Sequence, residues 1–110
     1  MAYLQKKYEE VIKLSEEPSI DSNEGAASQM YRAMALRETE DLEAAILLLS
    51  EVIKNRGLEK AINIRSRYER ALTYLKSKNE KKAIADFQFI ISKDFDYLDV
   101  QEQMKKLRGL

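Results

Sequence analysis

One helical pattern occurs twice in this chain, 38 residues apart, and it constrains the fold more than any other feature. An Arg-Ala pair at 32–33 precedes an Ala-Ile pair at 45–46, and the same pairs recur at 70–71 and 83–84. In each copy the two alanines are 12 residues apart, and large apolar residues follow the second alanine at steps of four. Repetition at such a period predicts stacked helical hairpins that bury their apolar faces against one another.

The segments between the apolar stripes divide the chain into predicted helices. One proline and three glycines interrupt the 110 residues, and β-branched runs with strict alternation are missing, so only helices are supported. The helices are expected at residues 2–17, 24–38, 42–55, 59–77, 80–93 and 97–108. Short turns make sequential helices antiparallel neighbours. The predicted fold is a single all-α domain with a half-repeat at 1–17, repeats at 24–56 and 59–93, and a capping helix at 97–108.

The residue types that most enzymes need are missing from this sequence. The chain contains no His and no Cys, which removes the commonest general base, the commonest transition-metal ligand and all thiol chemistry. Neighbouring carboxylates at 9–10 and 16–17 diverge around a helix and do not converge on one substrate. The acidic segment 94–99 departs from a calcium loop at three positions and is expected to be a turn. We therefore predict a protein without catalysis, metal or cofactor.

Charge and hydropathy bear on location and partners. No apolar run approaches the roughly 18–20 residues that a membrane span requires, and the first residues do not resemble a secretory signal, so we expect a cytoplasmic protein. Residues 1–56 contain 7 basic and 11 acidic side chains, whereas residues 57–110 contain 12 and 8. An elongated chain with such ends would carry a charge gradient that favours head-to-tail contact.

The second copy of the pattern carries a family resemblance. The motif RALTY at 70–74, followed by KAIADF at 82–87, resembles a tetratricopeptide repeat, and residues 26–57 resemble the same repeat less closely. The usual period of that family is about 34 residues, so the longer interval implies a longer helix or a wider turn between residues 55 and 62. The resemblance implies about two and a half divergent repeats, stacked as a short right-handed superhelix of about six helices.

The resemblance also implies a function. In that family the first helix of each hairpin lines a concave surface that holds a peptide or helix of a partner protein. Carried over by register, the groove residues are Met30, Tyr31, Met34, Arg37, Tyr68, Glu69, Leu72 and Lys76, with Glu38 and Leu75 beside them. Methionine adapts to irregular apolar surfaces and suits such a face. The Lys and Asn with which some members grip a C-terminal carboxylate are absent from the matching places.

Three alternatives stay open at this point. Met34, Leu72 and Leu75 fit a buried core as well as they fit a groove. A structural role, self-association through an end of the array, would use the charge gradient and the unpartnered first helix. RNA or DNA binding is a weaker alternative, because solvated surface explains the basic residues as well. Those basic residues are Lys60, Arg65, Arg67, Arg70, Lys76, Lys78, Lys81 and Lys82.

Overall fold

The computed structural model describes residues 22–109, and every regular element in that range is a helix. The helices are α1 (Asn23–Glu38), α2 (Leu42–Lys54), α3 (Lys60–Lys76), α4 (Glu80–Lys93) and α5 (Val100–Leu107). The all-α prediction is confirmed for this part of the chain. The helix expected at 2–17 lies outside the described residues.

The helix boundaries follow local chemistry. Ser22 caps α1, because its Oγ accepts a hydrogen bond from the backbone N–H of Gly25 at 3.0 Å. The final helix begins at Val100, three residues later than the expected start at 97. Leu98, two residues before this start, has a φ of 43°. This value is in the left-handed region, which residues of a right-handed helix do not adopt, so the helix cannot begin earlier.

The turn within each hairpin repeats at the interval that the sequence pattern shows. Glu40 and Lys78, 38 residues apart, have φ values of 69° and 64°. The residue after each one donates its backbone N–H to a carbonyl in the preceding helix, Asp41 to Leu36 and Asn79 to Tyr74, both at 2.8 Å. These hydrogen bonds satisfy carbonyls that a helix end leaves free. The 38-residue interval is therefore a repeat of backbone structure as well as of sequence.

The alanines of the repeat lie where two helices approach closely. Ala33 and Ala45 are fully buried between α1 and α2, and Ala71 and Ala83 are fully buried between α3 and α4. We call α1–α2 the first hairpin and α3–α4 the second hairpin. Each helix contacts the next one in sequence, and α1 also contacts α3. Among the described residues α2 and α4 make no comparable contact, so the hairpins lie side by side with their first helices adjacent.

Two apolar clusters form the core of the described region. One lies within the first hairpin around Leu49. The larger one lies within the second hairpin around Phe87 and includes Val100 and Met104 of α5, which therefore covers the second hairpin. None of the helices between residues 22 and 109 is both long and apolar enough to cross a membrane.

Candidate functional site

The eight groove residues inferred from the resemblance lie on two neighbouring helices. Met30, Tyr31, Met34 and Arg37 are on α1, and the other four are on α3. Because α1 and α3 are in contact, they form one continuous surface, which we call the α1/α3 face.

The apolar residues of this set divide by exposure. Tyr31 is 56% exposed, and Met34 and Leu72 are half-buried. Met30 is only 6% exposed and Tyr68 only 9%, and both belong to the core clusters. A ligand on the α1/α3 face would therefore meet Tyr31, Met34 and Leu72, while Met30 and Tyr68 support these residues from below.

The charged residues of the set hold the two hairpins together. Glu69 is 2% exposed, and its Oε1 accepts a hydrogen bond from Arg37 Nη1 of α1 at 2.8 Å. The same nitrogen also donates to the Glu69 backbone carbonyl at 3.2 Å. Arg65 Nε donates to Glu69 Oε2 at 2.7 Å. This carboxylate thus joins both first helices and is covered by the two arginines that it pairs with.

Arg65 is a member of the face that the register did not include. Its hydrogen bond to Glu69 raises the pKa of its guanidinium, although burial acts in the opposite direction. The spacing of Arg65 and Glu69, one helical turn apart, is the signal that could have revealed this ion pair.

Further contacts fasten both ends of α1 to α3. Lys76 Nζ lies 3.1 Å from Glu40 Oε1 and donates a hydrogen bond to the carbonyl of Arg37 at 3.3 Å. At the other end, the Glu59 backbone N–H donates to Asn23 Oδ1 at 2.9 Å. Asn23 Nδ2 in turn donates to Glu59 Oε1 at 3.2 Å. The α1/α3 face is therefore held in one geometry along its length.

Tyr68 connects the face to the final helix. Its hydroxyl donates a hydrogen bond to Asp99 Oδ1 at 2.5 Å, and its ring packs edge-on against Phe87 and Tyr97. Burial, followed by the hydrogen bond to Asp99, raises the pKa of Tyr68 well above its ordinary value. The hydrogen bonds from Tyr68 and Gln103 lower the pKa of Asp99. At neutral pH the pair is a neutral phenol donating to a carboxylate, a structural contact.

Several basic residues of the second half also have structural partners. Arg70 donates from Nε and Nη2 to the two oxygens of Asp86 at 2.8 and 2.7 Å, and from Nη1 to Ser50 Oγ at 3.1 Å. Arg67 Nη1 lies 3.5 Å from the same carboxylate. These arginines therefore hold α2, α3 and α4 together, and they do not form an open basic stripe.

Metal chemistry has no candidate site between residues 22 and 109, where no three acidic side chains cluster as metal ligands would. Searches against protein-family models, curated proteins and solved structures found no match to this chain. The geometry of the α1/α3 face is therefore the basis for assigning a function.

Proposed function

We propose that this chain is a non-catalytic interaction module of the tetratricopeptide-repeat type that binds a peptide or helix of a partner protein on the α1/α3 face. The observation that carries the proposal is the unequal spacing of the helices. The first helices α1 and α3 contact each other, whereas α2 and α4 of the described region do not. The side on which the helices converge is the inner side of a curved array, and that is where the resemblance implies a ligand.

The composition of the face supports a peptide ligand. Tyr31, Met34 and Leu72 offer accessible apolar surface, and aromatic and methionine side chains are enriched at protein interfaces. The buried Glu69 network keeps the two helices in a single arrangement, so little ordering is needed on binding. Nucleic-acid binding is less well supported, since Arg67 and Arg70 are engaged with Asp86.

The test is selection of peptides from a random library on the immobilised protein, followed by measurement of their affinity for variants. Tyr31→Asp and Met34→Glu, made together, place two charges on the face. Circular dichroism checks that helicity is intact, because Met34 is half-buried against the apolar cluster of the first hairpin. We expect at least about a tenfold loss of affinity, because each places a charge in an apolar contact.

The matched control is Leu47→Asp. Leu47 is 62% exposed on α2, away from the α1/α3 face, so this change introduces a charge without touching the proposed site. Its affinity should equal that of the unchanged protein. Peptides that bind the double variant as tightly as the control would refute the assignment of the face. A library that yields no binder would refute the proposed function itself.

A further inference from the structure

A second surface combines basic and apolar side chains in a groove. The groove has a volume of about 460 Å³ and lies between the turn that joins the two hairpins, the start of α3 and the end of α4. Its apolar lining is Leu58, Ile64 and Phe89, and its basic lining is Arg56, Lys60 and Lys93. We call it the basic groove. Its size is within the range of cavities that take up small ligands or side chains.

The basic side chains that line the basic groove have no ion-pair partner among the described residues. Arg56, Lys60 and Lys93 are all exposed. Glu59, the neighbour of Lys60 in sequence, is hydrogen-bonded to Asn23. The guanidinium of Arg67, which also pairs with Asp86, lies 3.7 Å from the centroid of the Phe89 ring beside the groove. The groove is therefore suited to an acidic segment that carries an apolar side chain.

The chain itself has such a segment directly after Lys93, a residue that lines the groove. Phe95 is 65% exposed, and it lies between the exposed carboxylates of Asp94 and Asp96. We call residues 94–96 the acidic loop. Its geometry is held by hydrogen bonds, since Asp96 donates its N–H to Asp94 Oδ1 at 3.3 Å and Gln101 Nε2 donates to the Phe95 carbonyl at 3.0 Å. Phe95 is thus an exposed aromatic side chain in a turn held by hydrogen bonds.

We propose that the occupant of the basic groove is the acidic loop of a second copy of this chain, with Phe95 inserted among the apolar lining residues and the two aspartates beside Lys60 and Lys93. Charge complementarity carries the proposal, because three cations without an ion-pair partner line the groove and two carboxylates without an ion-pair partner flank an exposed ring. Lys93 borders the groove and Asp94 begins the loop, so both surfaces lie at the same end of the hairpin. A twofold dimer then makes both insertions at once, each copy donating and receiving a phenylalanine.

The dimer should be weak, because two short segments bury less area than the roughly 1,200 Å² of a stable interface. Sedimentation velocity on the whole chain at concentrations up to about 1 mM should show a monomer–dimer equilibrium. Added salt should shift it toward monomer, since the paired charges are near the surface. Phe95→Ser should weaken association by at least about tenfold, whereas the matched control Leu47→Ser, at another exposed apolar residue, should leave it unchanged.

A charge-swap experiment tests the pairing itself. Asp94→Lys with Asp96→Lys makes the loop basic, and Arg56→Glu with Lys60→Glu makes the groove acidic. Each double variant alone should be monomeric, because its loop and groove then carry like charges. An equimolar mixture should associate again, because in the mixed dimer every loop meets a groove of opposite charge.

Circular dichroism of each variant checks that it is folded, which is expected because all four charged positions are exposed. If the protein without substitutions stays monomeric up to about 1 mM, the proposal is wrong. Equal effects of Phe95→Ser and Leu47→Ser on association would also overturn it. Failure of the mixture to associate would also overturn it. Peptide binding at the α1/α3 face does not depend on any of these positions, so the two proposals fail independently.

Discussion

The two hairpins have the same backbone repeat but different interiors. Position by position at the 38-residue interval, Phe87 of the second hairpin corresponds to Leu49 of the first, and both are fully buried. One residue earlier, the second hairpin has Asp86 where the first has Leu48. The same packing of alanines therefore accommodates either an apolar residue or a buried carboxylate at the helix interface.

The difference shows what a buried charge requires. Asp86 is 3% exposed, and it is tolerated because Arg70 binds both of its oxygens while Arg67 adds a third positive contact. The first hairpin has Gln29 in the place of Arg67 and builds its cluster from apolar side chains around Leu49. The ion pairs of Asp86 therefore stabilise the second hairpin in addition to the apolar burial that both hairpins share.

Removal of the Asp86 carboxylate tests this contrast with the largest expected effect. Asp86→Ala leaves the guanidinium of Arg70 without its partner, and we expect a loss of about 3–5 kcal/mol in the free energy of unfolding. The matched substitution Leu48→Ala removes a half-buried apolar side chain and should cost about 1–2 kcal/mol. Urea denaturation followed by circular dichroism measures both values.

A double variant replaces the buried ion pair of the second hairpin with apolar side chains. Arg70→Met with Asp86→Leu replaces the ion pair by apolar residues of similar size, and such replacements are commonly neutral or stabilising. Its stability should return to within about 1 kcal/mol of the unchanged protein. A double variant as unstable as Asp86→Ala would show that apolar packing cannot replace this ion pair.

The spacing of apolar residues carries most of what could be predicted about the fold. Helix positions and the buried alanines depend on contacts between residues close in sequence, so a local pattern reveals them. The role of Glu69 is different, because Arg37, 32 residues earlier, reaches it only once the hairpins are stacked. Asn23 and Glu59 likewise meet only once the hairpins are stacked. The exposure of Phe95 in the acidic loop follows from the turn before α5.

Tyr68 and Met30 provide a second test of the comparison, because they occupy the same repeat position and only the tyrosine has a hydroxyl. Tyr68→Phe keeps the buried ring and removes the hydrogen bond to Asp99, so we expect a loss of about 1 kcal/mol in unfolding free energy. Met30→Leu, a change of similar volume at the matching position, serves as the control and should cost less.

The pH dependence follows from the lowered pKa of Asp99. A carboxylate whose pKa is lower in the folded than in the unfolded state stabilises the fold above its unfolded pKa, about 3.9. That stability is lost as the pH falls through the lower, folded value. Tyr68→Phe should therefore differ from the unchanged protein at neutral pH and converge with it well below about pH 4. A difference that stays constant down to that range would contradict the coupling.

The smallest effect is expected at the turns, where the two hairpins are most alike. Glu40 and Lys78 both hold positive φ values, which cost a non-glycine residue about 1 kcal/mol, so glycine relieves strain at either place. Lys78→Gly should therefore raise the free energy of unfolding by about 0.5–1 kcal/mol. Glu40→Gly relieves similar strain but also removes the ion pair with Lys76, whose atoms lie 3.1 Å apart, so its gain should be smaller. Equal gains in thermal denaturation would mean that this exposed pair adds nothing to the contact between α1 and α3, and that the turns are energetically as well as geometrically equivalent.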